Sequence, residues 1–126
     1  MKKLSITISI ICLCISTFAH AAGKNDGIYR WKHSGGTQEV TIKGNKMSIV
    51  IGSNSGCGGS VSGELVETER LVFFSNPDKD SPDETCIVNV ETSKQGLKLY
   101  DEEKCSNYHG AACSFEGVYK KVKKQL

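Results

Sequence analysis

Between residues 105 and 122 the chain reads CSNYHGAACSFEGVYKKV, and from Cys113 onward its polarity alternates with a period of two. Cys113, Phe115, Gly117 and Tyr119 share one face, and Ser114, Glu116, Val118 and Lys120 the other. Successive strand side chains point to opposite faces, so this is the pattern of a half-buried strand with its first set inward. Residues 26–33, DGIYRWKH, repeat the device with Tyr29 and Trp31 on one face. A G-x-Y pair near each end of the chain predicts that the first and last strands meet and close a β structure.

The intervening sequence fits that frame. Val40 and Ile42 alternate with Thr41 and Lys43, and Gly44-Asn45 is a hairpin turn leading into Met47, Ile49 and Ile51. Val61 and Leu65 follow a Gly/Ser-rich loop at residues 52–59, and residues 71–74 form a short apolar strand. Residues 75–84, SNPDKDSPDE, are an exposed loop; Val88 and Val90 then lead through a turn at residues 93–96 to Leu97 and Leu99. The reading is all-β, a small antiparallel barrel or sandwich of about eight strands without an amphipathic helix. Its inward residues are Tyr29, Trp31, Val40, Ile42, Met47, Ile49, Val61, Leu65, Val88, Val90, Leu97, Leu99, Phe115 and Tyr119.

The first residues read as a targeting segment. Met1-Lys2-Lys3 is a basic start, residues 4–18 are apolar, and Ala19-His20-Ala21 supplies the small residues of a cleavage site. The expected organisation is a signal peptide at 1–21 and a single domain at 22–126, without a transmembrane segment in the mature chain. That chain would hold 16 − 2 = 14 basic residues against 14 acidic ones, a net charge of zero. A nucleic-acid partner, which calls for a basic excess, is therefore not expected. The placement expected is periplasmic or secreted.

Of six cysteines, Cys12 and Cys14 fall in the signal, leaving 6 − 2 = 4. An even number in an exported domain predicts two disulfides. Zinc is disfavoured because no pair has C-x-x-C spacing. A hairpin centred between Lys94 and Gln95 sets residue 86 opposite about residue 103, so Cys86–Cys105 is the expected bridge, with Cys57–Cys113 as the second. A local Cys105–Cys113 bridge is the alternative.

Motifs for chemistry are scarce. The Gly-rich loop lacks G-x-x-x-x-G-K-[ST], and no G-x-S-x-G elbow is present. Counted from Asp78, the sixth and twelfth positions of a calcium loop hold Asp83 and Asn89 rather than Gly and Glu. No cofactor is expected, no catalytic residue is assigned, and the protein is read as non-enzymatic.

The segments DGIYRW, CIVNV and CSNYHGAACSFEGVY resemble a group of small exported bacterial proteins with a G-x-Y first strand and a C…G…F-x-G-x-Y last strand. That group is similar in size and style to the periplasmic lysozyme inhibitors, compact antiparallel barrels stapled by disulfides. Ser34-Gly35-Gly36-Thr37 and Ser55-Gly56-Cys57 begin the S-G-x-[KR]-Y loop of the membrane-bound C-type inhibitors without completing it, so no inhibitory residue carries over. The function expected is an exported binding protein, an inhibitor or immunity protein against a cell-wall-degrading enzyme, whose partner is another protein in the periplasm or outside the cell. A small-ligand carrier barrel and a hydrolase are the alternatives. The binding loop is placed at Tyr108, His109 and Gly110, between two cysteines. A plain connection whose tyrosine covers the barrel mouth is the competing reading.

Overall fold

The structure, a computed structural model, describes residues 23–53, 58–77, 84–101, 105–109 and 113–123. Eight antiparallel strands follow one another around a closed barrel: β1 (Gly27–His33), β2 (Gly36–Lys43), β3 (Lys46–Ser53), β4 (Gly59–Glu67), β5 (Leu71–Ser75), β6 (Ile87–Thr92), β7 (Gly96–Tyr100) and β8 (Gly117–Lys121). β8 returns to β1 with Tyr29 opposite Lys121 and Arg30 opposite Lys120, so the first and last strands do close the sheet. Closure removes the two free edges that an open sheet exposes.

The period of two carries through. Val40, Ile42, Ile49, Val61, Phe73, Val88, Leu99, Phe115 and Tyr119 are buried inward, and their neighbours along the strands face outward. Full burial of such a side chain contributes roughly 1.5–3 kcal/mol. A barrel of eight strands has an interior just wide enough for side chains to fill, and these fill it. The outward positions are mostly polar, as Ser60, Ser62 and Glu64 show on β4, with Ile28, Val50, Val66, Phe74 and Val118 as exposed apolar exceptions. A transmembrane barrel has the opposite polarity, with an apolar outer band. Among the described residues no helix is long and apolar enough to cross a membrane. All the inward residues expected from the alternation are buried except Trp31, which is half-buried at the barrel mouth against the core.

The two barrel ends differ. At one end the hairpins are short: Gly44, at φ 62°, turns β2 into β3, and Ser93 N–H bonds Gly96 O across the β6–β7 turn. Asp26 Oδ1 accepts from Gly44 N at 2.7 Å and ties the N-terminal lead-in to this end. At the other end β3–β4, β5–β6 and β7–β8 are joined by longer connections. There the chain departs from an all-strand reading, because Ser106–His109 form one helical turn, α1. β8 also starts only at Gly117, later than the alternation from Cys113 suggests. The reason is local: Phe115 N donates to Asp101 and Glu116 N to Ser114 Oγ, so side chains rather than a neighbouring strand satisfy those amides.

One disulfide is seen where two were expected. Cys86 and Cys105 are bridged with a Cα–Cα distance of 4.6 Å, which removes the alternative Cys105–Cys113 pairing. Cys113 is half-buried against the core and is not a free thiol; its expected partner Cys57 lies outside the described residues. The signal segment 1–21 and most of the acidic loop lie outside them too.

Candidate functional site

Chemistry-bearing side chains concentrate at the end covered by α1. Cys105 and Cys86 are buried, and Cys86 N donates to Ser75 Oγ at 2.8 Å, which fixes the bridge to β5 and β6. The helical turn leaves Cys105 directly and lies on the start of β4. A Cβ at Gly59 would come within 2.1 Å of Tyr108 O and 2.9 Å of His109 Cα, both backbone atoms. Only glycine lets the turn sit this close.

Beneath the turn is a buried polar cluster. Asp101, 1 % exposed, receives three hydrogen bonds on Oδ2: from His109 Nε2 at 2.7 Å, Ser114 Oγ at 3.3 Å and Phe115 N at 3.2 Å. The His109 ring is also buried and meets Phe115 edge to face at 4.8 Å. Oδ1 of Asp101 is buried and accepts nothing from the described residues. Serine, histidine and aspartate thus converge, but in an order unlike a nucleophilic triad. In a triad the imidazole bridges serine and carboxylate; here the carboxylate bridges serine and imidazole. The cluster ties α1, the end of β7 and the approach to β8 to one carboxylate.

Ser114 joins it to a second network. Gln38 Nε2 donates to Ser114 O at 3.0 Å and to Tyr119 Oη at 2.8 Å, while Gln38 Oε1 accepts from His33 Nε2 at 2.8 Å. Gly35 N donates to His33 Nδ1 at 3.1 Å, which leaves the ring hydrogen on Nε2. Tyr119 donates onward to Phe115 O at 2.6 Å. Every polar atom of the buried Gln38 amide is therefore used, as burial of an amide demands.

The Tyr119 phenol is pushed well above its ordinary pKa. Burial disfavouring the phenolate is the largest cause, the Gln38 hydrogen bond opposes it, and the Asp101 charge adds to it. Tyr29 is raised as well, by burial and then by Asp26. A folded-state pKa above the unfolded value means stability that is complete below about pH 10 and is lost above it, at up to about 1.4 kcal/mol per pH unit and per phenol. Urea unfolding from pH 9 to 11.5 is expected to show that decline. In Tyr119→Phe the slope should be shallower by nearly one proton, and equal slopes in the two proteins would refute it.

The three residues expected to form a binding loop are not equivalent. His109 points inward as part of the cluster. Tyr108 is half-buried, packs partly on the core and donates its hydroxyl to Glu84 O at 3.2 Å. Gly110 lies outside the described residues. What the turn offers to solvent is Ser106, Asn107 and the outer edge of Tyr108, with Asn107 Nδ2 bonded to Glu84 Oε2. Asp101, Gln38 and Ser114 were not singled out from the sequence. A separate cleft of about 670 Å³ lies outside the barrel between the β4–β5 turn and β6–β7, walled by residues such as Glu67, Arg70, Glu91 and Tyr100. It contains none of the buried cluster. Among the described residues no three His, Cys, Asp or Glu side chains converge as a metal site. Comparison with protein-family models, with curated proteins and with solved structures finds no match to this chain.

Proposed function

We propose that this is an exported, non-enzymatic binding protein whose protein partner docks on the barrel end that carries α1. The narrower reading is an inhibitor or immunity protein against a cell-wall-degrading enzyme, with a second bridge, Cys57–Cys113, bracing the same end. The observation that carries the proposal is the fixing of one short exposed turn by three independent devices. These are the Cys86–Cys105 bridge, the Asp101–His109 bond and the Gly59 contact. A surface held rigid before binding loses less entropy on association. The large, fully buried side chains of Phe73, Leu99, Phe115 and Tyr119 in the interior favour this reading over a small-ligand carrier.

The test begins with affinity capture from periplasm and secreted fractions, in which a wall hydrolase is the expected catch. Ser106→Arg then places a bulky cation on an exposed position of the turn. Binding should weaken by at least tenfold, about 1.4 kcal/mol, with the thermal midpoint nearly unchanged. A partner that binds the variant as tightly as the parent would place the interface elsewhere.

A further inference from the structure

The outer face of the barrel is not electrically uniform. β8 pairs with β7 and β1, so the outward residues of these three strands form one continuous surface. Arg30 and Lys120 stand directly opposite each other across the closing seam. One row along on the same face lie Lys32 and Val118, and Val118 is paired with Lys98 of β7. Lys94 and Lys123 extend the basic area to the short-hairpin end. Glu39 is taken by Arg30 at 2.8 Å, Glu91 stands directly opposite Lys98, and Glu116 lies close enough to act on Lys98 as well. Six bases thus face three acids, a difference of 6 − 3 = +3. The outward rows of β4 and β5 carry Ser60, Ser62, Glu64, Val66, Val72 and Phe74. Six of the eleven described Lys and Arg side chains therefore lie on this one side, and Lys43 and Lys46 form a smaller basic pair across β2–β3.

Folding does not call for this arrangement. Like charges directly opposite on neighbouring strands destabilise a sheet. Lys32, Lys94, Lys120 and Lys123 have no ion-pair partner among the described residues. In their midst Val118 is 53 % exposed, more than any other large apolar side chain among the described residues, and Ile28 beside the seam is 42 % exposed. We propose that the outer face of β7–β8–β1 docks on an anionic lipid surface, its lysines among the headgroup phosphates and Val118 at the apolar boundary.

The composition of the face favours a lipid over an acidic protein. Protein interfaces are anchored by Trp, Tyr and Arg in well-packed pockets and are depleted in Lys. The one arginine here is held by Glu39 through two hydrogen bonds. The remaining cations are lysines, whose attraction to a charged bilayer adds residue by residue without fixed geometry. An exposed apolar side chain with Lys98, Lys120 and Lys32 around it suits an interfacial contact, in which apolar area and charge attraction add.

Flotation of the purified protein with phosphatidylglycerol/phosphatidylcholine vesicles, and with phosphatidylcholine vesicles alone, tests this directly. Binding is expected to the anionic vesicles only and to fall steeply between low and high salt. In Lys32→Glu/Lys98→Glu/Lys120→Glu, removing three attractive charges should weaken binding by at least about 100-fold. These side chains face outward, and an unchanged thermal midpoint would certify the fold. Lys46→Glu, on β3 and outside the β7–β8–β1 face, is expected to weaken binding at about 0.1 M salt far less than the triple variant does, since a screened charge off the docking face contributes little. Failure to float at low salt, or equal flotation by the triple variant, would overturn the proposal. So would charge-dependent binding to an acidic protein in place of vesicles, which would assign the face to a protein partner.

Discussion

Asp101→Ala is expected to destabilise the protein by about 3 kcal/mol, measured by urea unfolding at neutral pH. The replacement orphans two donors that cannot turn to water, His109 Nε2–H and Phe115 N–H, and leaves Ser114 to find another acceptor. Each stranded buried donor costs about 1–3 kcal/mol. Removing the carboxylate also relieves its own burial and its unpartnered Oδ1, which offsets part of that loss. Asp101→Asn should cost less, because an amide oxygen can still accept from Phe115 N. Combining Asp101→Ala with His109→Ala should cost less than the sum of the two, since each deletion removes the same bond. A loss below about 1 kcal/mol for Asp101→Ala would mean that the cluster does not tie α1 to the barrel.

The residues that proved hardest to find are those that continue an inward row with a polar side chain. The reading of β2 stopped at Val40 and Ile42, but the same period runs back to Gln38, and the row Leu97, Leu99 runs on to Asp101. Alternation alone marks these positions as inward, and a polar residue at an inward position must find partners there. Ser75 after Phe73 follows the same rule. By contrast nothing local marks His109 as buried or residues 106–109 as helical. A four-residue turn has too few positions to show a helical period. Its formation depends on Cys105 being bridged to Cys86 and on Gly59 admitting the backbone, both remote in sequence.

The strands, the short turns and the closing seam were legible because each rests on a local pattern. Val90 pairs with Leu99 and Thr92 with Leu97, the register that a turn centred between Lys94 and Gln95 imposes. That register brings Cys86 toward the chain beyond β7, and the bridge to Cys105 follows. The basic face was less visible. It exists only once the barrel sets Lys120 beside Arg30 and Val118 beside Lys98, residues far apart in the sequence.

Replacing both cysteines of the bridge, Cys86→Ala/Cys105→Ala, is expected to cost about 3 kcal/mol, chiefly through the unfolded chain. The bridge closes a sequence separation of 19 residues, and the entropy of an open loop of that length accounts for roughly 3 kcal/mol. Both sulfurs are fully buried, so alanine also gives up their packing in a region that already holds Phe115 and His109. The helical turn should nevertheless stay in place. His109 still bonds Asp101, and the turn still rests on Gly59. The variant is therefore expected to fold to the same barrel, with a larger dependence of stability on urea because its unfolded state is more expanded. Amide exchange at Tyr108 discriminates the mechanism. An entropic bridge leaves its protection close to the new global stability. A bridge that acts mainly by holding α1 would instead let Tyr108 exchange by local opening, well below that limit. A loss under about 1 kcal/mol with unchanged urea dependence would reject both accounts of the bridge.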